Sequence, residues 1–164
     1  MNPSLETEQD HMPPKSSIAA AALKNPNNKL AAALNAGGNQ DNMLAMTYLK
    51  TDHRKAATTG TQTQIQAVRD KITETIGKGD VVGTYKYTVM ATNTGKITST
   101  KRNFEGYAEA YINKLRNNGV TINPNDENTI RNWTKTVLPN QQKTENDPHF
   151  KTLINTFYGA AKIQ

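Results

Sequence analysis

The sequence predicts a mainly α fold: a small helical domain with one β-hairpin, preceded by an extended N-terminal arm. Three observations carry that expectation. Apolar residues recur at helical spacing in several separate stretches. One stretch near the middle changes to an alternation of polar and apolar residues. The opening of the chain is rich in Pro, Ala and Asn and holds few large apolar residues, too few to build a core of its own. The arm is assigned to residues 1–40 and the helical core domain to 41–164, with the hairpin near 81–100.

Residues 1–16 contain Pro3, Pro13 and Pro14 and are expected to be extended or disordered. In 17–38 the string A-A-A-L occurs twice, ending at Leu23 and Leu34. Alanine favours helix, and Pro26 divides the segment into two short pieces. Helices this short are marginal in water, so the arm is expected to order against its own domain or a neighbouring copy. Ile18, Leu23, Leu30 and Leu34 are the candidate subunit contacts.

Asp41 to Leu49 offers Met43, Leu44, Met46 and Leu49 and is read as a short helix, followed by the polar stretch T-D-H-R-K-A-A-T-T-G. Ile65, Val68, Ile72 and Ile76 then mark a helix that Gly77 and Gly79 end. In V-V-G-T-Y-K-Y-T-V-M-A the period falls to alternation, and Asn93-Thr94-Gly95 reads as the turn of a hairpin returning through Ile97 and Ser99. The central helix follows. Phe104, Tyr107, Ala108, Tyr111, Ile112 and Leu115 line one face, Ser99 or Thr100 is the candidate cap, and Gly119 supplies a left-handed stop. Asn123 and Pro124 open a helix carrying Ile130, Trp133 and Val137 and stopping at Pro139. Asp147-Pro148 repeats the start signal before Phe150, Leu153, Ile154, Phe157, Tyr158 and Ala161.

Charge is unevenly distributed. The chain has a formal net charge of +6, and residues 50–102 alone carry ten basic and four acidic side chains. A localised surplus is the electrostatic footprint of a nucleic-acid partner. Arg54, Lys55, Arg69, Lys71, Lys86, Lys96, Lys101 and Arg102 are candidate phosphate contacts, and Tyr85, Tyr87 and Tyr107 are candidates to stack bases. Lys101 and Arg102 would sit at the start of the central helix, where the dipole repels cations but favours a bound anion. No motif reads a specific sequence, so binding is expected to be backbone-dominated and salt-sensitive.

Other chemistries find little support. There are no cysteines, and His11, His53 and His149 stand far apart in polar surroundings, so no metal or cofactor is expected. Glu105 and Glu109 share a helix face, which a solvated surface explains better than acid–base catalysis. T-N-T-G-K (92–96) lacks the earlier glycine and the strand–loop–helix setting of a phosphate loop. An enzyme is therefore not expected. No apolar run reaches membrane-spanning length, and the acidic start has no signal-peptide pattern, so a non-secreted protein without a membrane partner is expected.

Two stretches resemble a known family. T-K-R-N-F-E-G-Y-A (100–108) is similar to the T-x-R-x-F-x-x-Y-A stretch in the coat proteins of flexible filamentous, potexvirus-like plant viruses, matching at Thr100, Arg102, Phe104, Tyr107 and Ala108. I-N-T-F-Y-G (154–159) is similar to the C-terminal F-D-F-F-N-G-like run of that family through Phe157 and Gly159. Asn155 stands where the family has Asp, so the family's ion pair with the arginine could not form as such. The resemblance implies a mainly helical core, an N-terminal arm docked on the next subunit, and single-stranded RNA in a continuous groove near Arg102. The expectation is a self-assembling coat or nucleocapsid protein of the virion or host cytoplasm, its partners being single-stranded RNA and copies of itself. The alternatives are a plasmid- or phage-encoded DNA-binding accessory protein and a protein–protein adaptor.

Overall fold

The computed structural model describes residues 7–37, 43–49, 63–93 and 103–141. In chain order they form β1 (Thr7–His11), α1 (Lys15–Lys24), α2 (Lys29–Leu34), β2 (Ala45–Leu49), α3 (Thr63–Gly77), α4 (Val81–Asn93), α5 (Phe104–Asn117) and α6 (Pro124–Asn132). A π-helical turn (Trp133–Val137) and a 3₁₀ turn (Leu138–Gln141) extend α6. The fold is mainly α with a small two-stranded antiparallel sheet.

The sheet and one helix do not lie where the sequence suggests. Val81–Asn93, expected as the first strand of the hairpin, is the helix α4. The rest of that hairpin, 94–100, lies outside the described residues. The reason is burial on nearly every side. Thr84, Tyr85, Tyr87, Thr88, Val89, Met90, Ala91 and Thr92 are all buried, consecutive positions as well as alternate ones. A helix enclosed on all sides loses its polar face, and with it the helical period in its sequence. Ala45–Leu49, expected as the end of a short helix, is instead β2, which pairs with β1 from Thr7↔Leu49 to His11↔Ala45. Its Thr and Tyr suit a strand, and β1 supplies the backbone partner.

The first 40 residues are not a separate arm as far as the structure describes them. Residues 7–37 pack on the chain's own core, with Met12, Ile18, Ala21, Leu30, Ala31 and Leu34 buried alongside Ile72, Ile76, Met90 and Ile112. Ile18, Leu30 and Leu34 are therefore core residues and not subunit contacts. The apolar faces of α1 and α2 are too short to stand alone, and α3 and α5 cover them. Leu23 differs, being 85% exposed. Pro26 divides α1 from α2 as expected, and Asn28 caps α2 by accepting from Ala31 N–H at 2.9 Å while its amide donates to Ile76 C=O at 3.0 Å.

Elsewhere the sequence pattern holds. On α3, Val68, Ile72 and Ile76 are buried, and Gly79 beyond its end has φ +67°. On α5, Tyr107, Ala108, Tyr111, Ile112 and Leu115 are buried and Gly119 has φ +88°. The cap of α5 is Asn103, not Ser99 or Thr100; its side chain accepts from Gly106 N–H at 2.9 Å. Asn123 caps α6 by accepting from Asp126 N–H at 2.8 Å, with Pro124 opening the helix. The stretch 150–161 lies outside the described residues.

Candidate nucleic-acid interface

The helix directions decide which chain segments meet. A three-residue turn, Lys78–Asp80, reverses α3 into α4. Thr84 Oγ1 donates to Thr75 Oγ1 at 3.0 Å, and Lys71 Nζ lies 5.7 Å from the ring centroid of Tyr87, so later residues of α4 meet earlier residues of α3. Helix α5 is antiparallel to α4 in turn. Tyr107 stacks on Tyr85 at 5.8 Å, while Tyr111 Oη, one turn later, donates to Val81 C=O at 2.7 Å. The start of α3, the end of α4 and the start of α5 therefore share one end of the bundle. The ribbon joins there too: Tyr107 Oη donates to Met12 C=O at 2.6 Å, and Ser17 Oγ donates to Arg69 C=O at 3.0 Å.

By sequence, 94–102 links the end of α4 to the start of α5, and 50–62 leads from β2 into the start of α3; both segments lie outside the described residues. Five of the nine nucleic-acid candidates fall within them. Arg54, Lys55, Lys96, Lys101 and Arg102 lie outside the described residues.

The other four candidates lie in the described fold, and all of them make interactions within it. Lys71 is mostly covered, 3.4 Å from Glu74 Oε2 and beneath Tyr87. Lys86 Nζ lies 5.9 Å from the ring centroid of Trp133, and burial pushes its pKa down against the opposing pull of Asp80. Cation–ring contacts of this kind are worth roughly 0.5–2 kcal/mol. Tyr107 is 5% exposed and has no face open to a base. Arg69 is half-buried on α3, near the end where the ribbon joins.

The base-stacking expectation is corrected for all three tyrosines. Tyr85 and Tyr87 are buried like Tyr107. Tyr85 sits at the centre of an aromatic cluster, 5.3 Å from Tyr111 and 5.9 Å from Trp133 in edge-on contact, with its hydroxyl 2.6 Å from Thr134 Oγ1. The signal was present in the spacing: Tyr107 and Tyr111 are one turn apart on the apolar face of α5, so partners in the core were to be expected. A strand over 81–91 would not place Tyr85 opposite that face, whereas the helix α4 does.

Two arginines of the last third, Arg116 and Arg131, are neutralised locally. Arg131 Nε lies 2.7 Å from Glu109 Oε1, Arg131 Nη2 lies 2.8 Å from Glu127 Oε1, and Arg116 pairs with Glu127. The hydrogen bond from Arg131 holds the Glu109 carboxyl below its usual range, so Glu109 is an ion-pair partner and not a poised acid. Among the described residues no group of three or more His, Asp and Glu is placed to hold a metal, and no helix is long and apolar enough to cross a membrane. Among the described residues, then, the candidate cations do not form a free cationic surface; Lys71 and Lys86 are held by the fold's own rings and carboxylates. Comparison with family models, with curated proteins and with solved structures found no match to this chain.

Proposed function

We propose that the protein is a structural nucleic-acid-binding protein that self-assembles, a coat or nucleocapsid protein packaging single-stranded RNA, without catalytic activity, in the virion or the host cytoplasm. One observation carries the reading. The antiparallel course of α3, α4 and α5 gathers at one end the point where 50–62 enters α3 and the two points where 94–102 leaves α4 and enters α5. Those segments hold Lys50, Arg54, Lys55, Lys96, Lys101 and Arg102 against one carboxylate, Asp52. They contribute +5 of the chain's +6. Folding alone gives no reason to concentrate like charges; a polyanion does. The resemblance at 100–108 favours RNA as that polyanion.

The test is a gel shift with single-stranded RNA and with duplex DNA across a salt series. Single-stranded RNA is expected to bind more tightly, and the double reversal K101E/R102E to weaken binding by a similar factor for every RNA sequence. Preference for duplex DNA would favour a DNA-binding accessory protein instead. No binding to either, or no response to the reversal, would remove the polyanion assignment.

A further inference from the structure

The ribbon has two outer edges, and they differ chemically. Met12 N–H donates to the C=O of Leu44, directly opposite it, at 3.0 Å. In an antiparallel ladder hydrogen-bonded pairs alternate with non-bonded ones. Asp10–Met46 and Glu8–Tyr48 are therefore of the bonded type, and the backbone N–H and C=O groups of Ala45, Thr47 and Leu49 turn away from β1. Among the described residues no third strand takes up those groups.

An open edge invites another strand unless charge guards it. The two strands differ: in β1, T-E-Q-D-H follows Glu6 and Asp10 is buried, so two β1 strands paired about Gln9 would set Glu8 of each copy against a buried carboxylate of the other. β2 has no such conflict. M-L-A-M-T-Y-L (43–49) carries no charge and joins Thr and Tyr to aliphatic residues, the composition of a strand that accepts a partner. A two-stranded ribbon alone is also marginal, and more strands stabilise it.

We propose that the outer edge of β2 pairs with the same edge of a second copy, making a four-stranded antiparallel sheet of order β1-β2-β2-β1 across a two-fold axis at Thr47. The inference rests on the self-assembly part of the reading above and not on its polyanion. The register is self-complementary, as a two-fold contact must be. Thr47 faces Thr47, Ala45 faces Leu49, and Met46 faces Tyr48. Each outward-turned residue thus meets another outward-turned residue, and no charge opposes a charge. Open-ended stacking of β2 on the β1 edge of the next copy is excluded by size. It would advance only two strand spacings per copy, about 10 Å, roughly the diameter of a single helix, and the bundle is several helices wide.

The test measures the mass of the full chain in solution without nucleic acid, by light scattering after size exclusion over a concentration series. A dimer is expected. Thr47→Pro removes an outward N–H and is expected to give a folded monomer, because an outer edge tolerates proline. Gln9→Pro removes the equivalent outward N–H of β1 and is expected to leave the dimer intact. The chain has no cysteine, so Thr47→Cys gives a register test that does not depend on the proline variant folding. Bonded pairs stand about 5.5 Å apart at Cα, within disulfide reach, so it should crosslink on oxidation. Ala45→Cys, facing Leu49, should not. Equal crosslinking at both positions, or a dimer indifferent to Thr47→Pro, overturns this contact while leaving self-assembly standing. A monomer at every concentration overturns both.

Discussion

Tyr107 illustrates how one side chain can be read correctly for its element and wrongly for its purpose. Its place on the apolar face of α5 was legible from spacing, but an interleaving of aromatics with cations also suggested base stacking. In the fold its ring stacks on Tyr85, and its hydroxyl donates to Met12 C=O, joining α5 to the N-terminal ribbon across 95 positions of sequence. Such ring pairs add about 0.5–1.5 kcal/mol beyond area burial. Burial drives the pKa of Tyr107 and Tyr111 well above 10.0, and raises that of Tyr85 as well. The sign follows from linkage. The unfolded chain releases these protons near pH 10 and the folded chain holds them, so the stability is fully present below pH 10 and is lost as pH rises towards and through the folded values. The urea midpoint is therefore expected to fall as pH rises above 10, with the three buried phenols ionising only as the protein unfolds. Tyrosinate absorbance followed alongside circular dichroism checks this. Ionisation of all six tyrosines before any loss of helix would show the cluster to be open. Tyr107→Phe keeps the ring but strands the Met12 carbonyl, at a cost of about 1–3 kcal/mol.

At the scale of the element, punctuation was more legible than interior. Pro26, Gly119 and the Asn123-Pro124 start all act as local chemistry dictates, because turn and cap residues work through their own backbone and need no distant partner. The interiors of α4 and β2 were not legible for the opposite reason. Thr84, Tyr85, Thr88 and Val89 favour a strand in isolation, and packing against α3, α5 and α6 outweighs a preference worth about 1 kcal/mol or less at each position. β2 needed β1, nearly forty residues away, to define it. Two starts share a device not evident from sequence: Asp80 and Asn103 each cap the N–H of a glycine three residues on, Gly83 and Gly106. A Cβ at Gly106 would stand 2.6 Å from Asn103 Nδ2, so cap and Cβ compete for one space. Asn103→Ala is expected to cost about 1 kcal/mol in the native chain. In a Gly106→Ala background, where the cap is already displaced, it should cost far less. Urea unfolding of the two single variants and the double variant closes the cycle. Additive effects would show that cap and glycine act independently.

For the whole molecule, charge divides unevenly between fold and connections, and the proposed polyanion partner rests on that division. Outside 50–62 and 94–102 the chain holds fourteen basic and thirteen acidic side chains, and within the described fold many of these are paired, as in Glu109–Arg131–Glu127–Arg116 and Glu74 between Lys71 and Lys78. The basic surplus was legible as a count, but its arrangement was not. Only the antiparallel course of α3, α4 and α5 brings together the helix ends that these connections join, and only the packing shows that Lys71 and Lys86 already serve Tyr87 and Trp133. This division makes a quantitative prediction about salt. Each cation that neutralises a phosphate of a single strand contributes about 0.7 to the slope of log affinity against log salt. Replacing Lys96, Lys101 and Arg102 by Gln is therefore expected to reduce the magnitude of the slope for single-stranded RNA by about 2. Replacing Lys71 and Lys86 by Gln should leave the slope unchanged while lowering the unfolding midpoint, since those side chains work inside the fold. Fluorescence anisotropy with a labelled single-stranded RNA at several salt concentrations measures both slopes. A fall shared equally between the two variants would mean that the described bundle surface, and not its connections, neutralises the backbone.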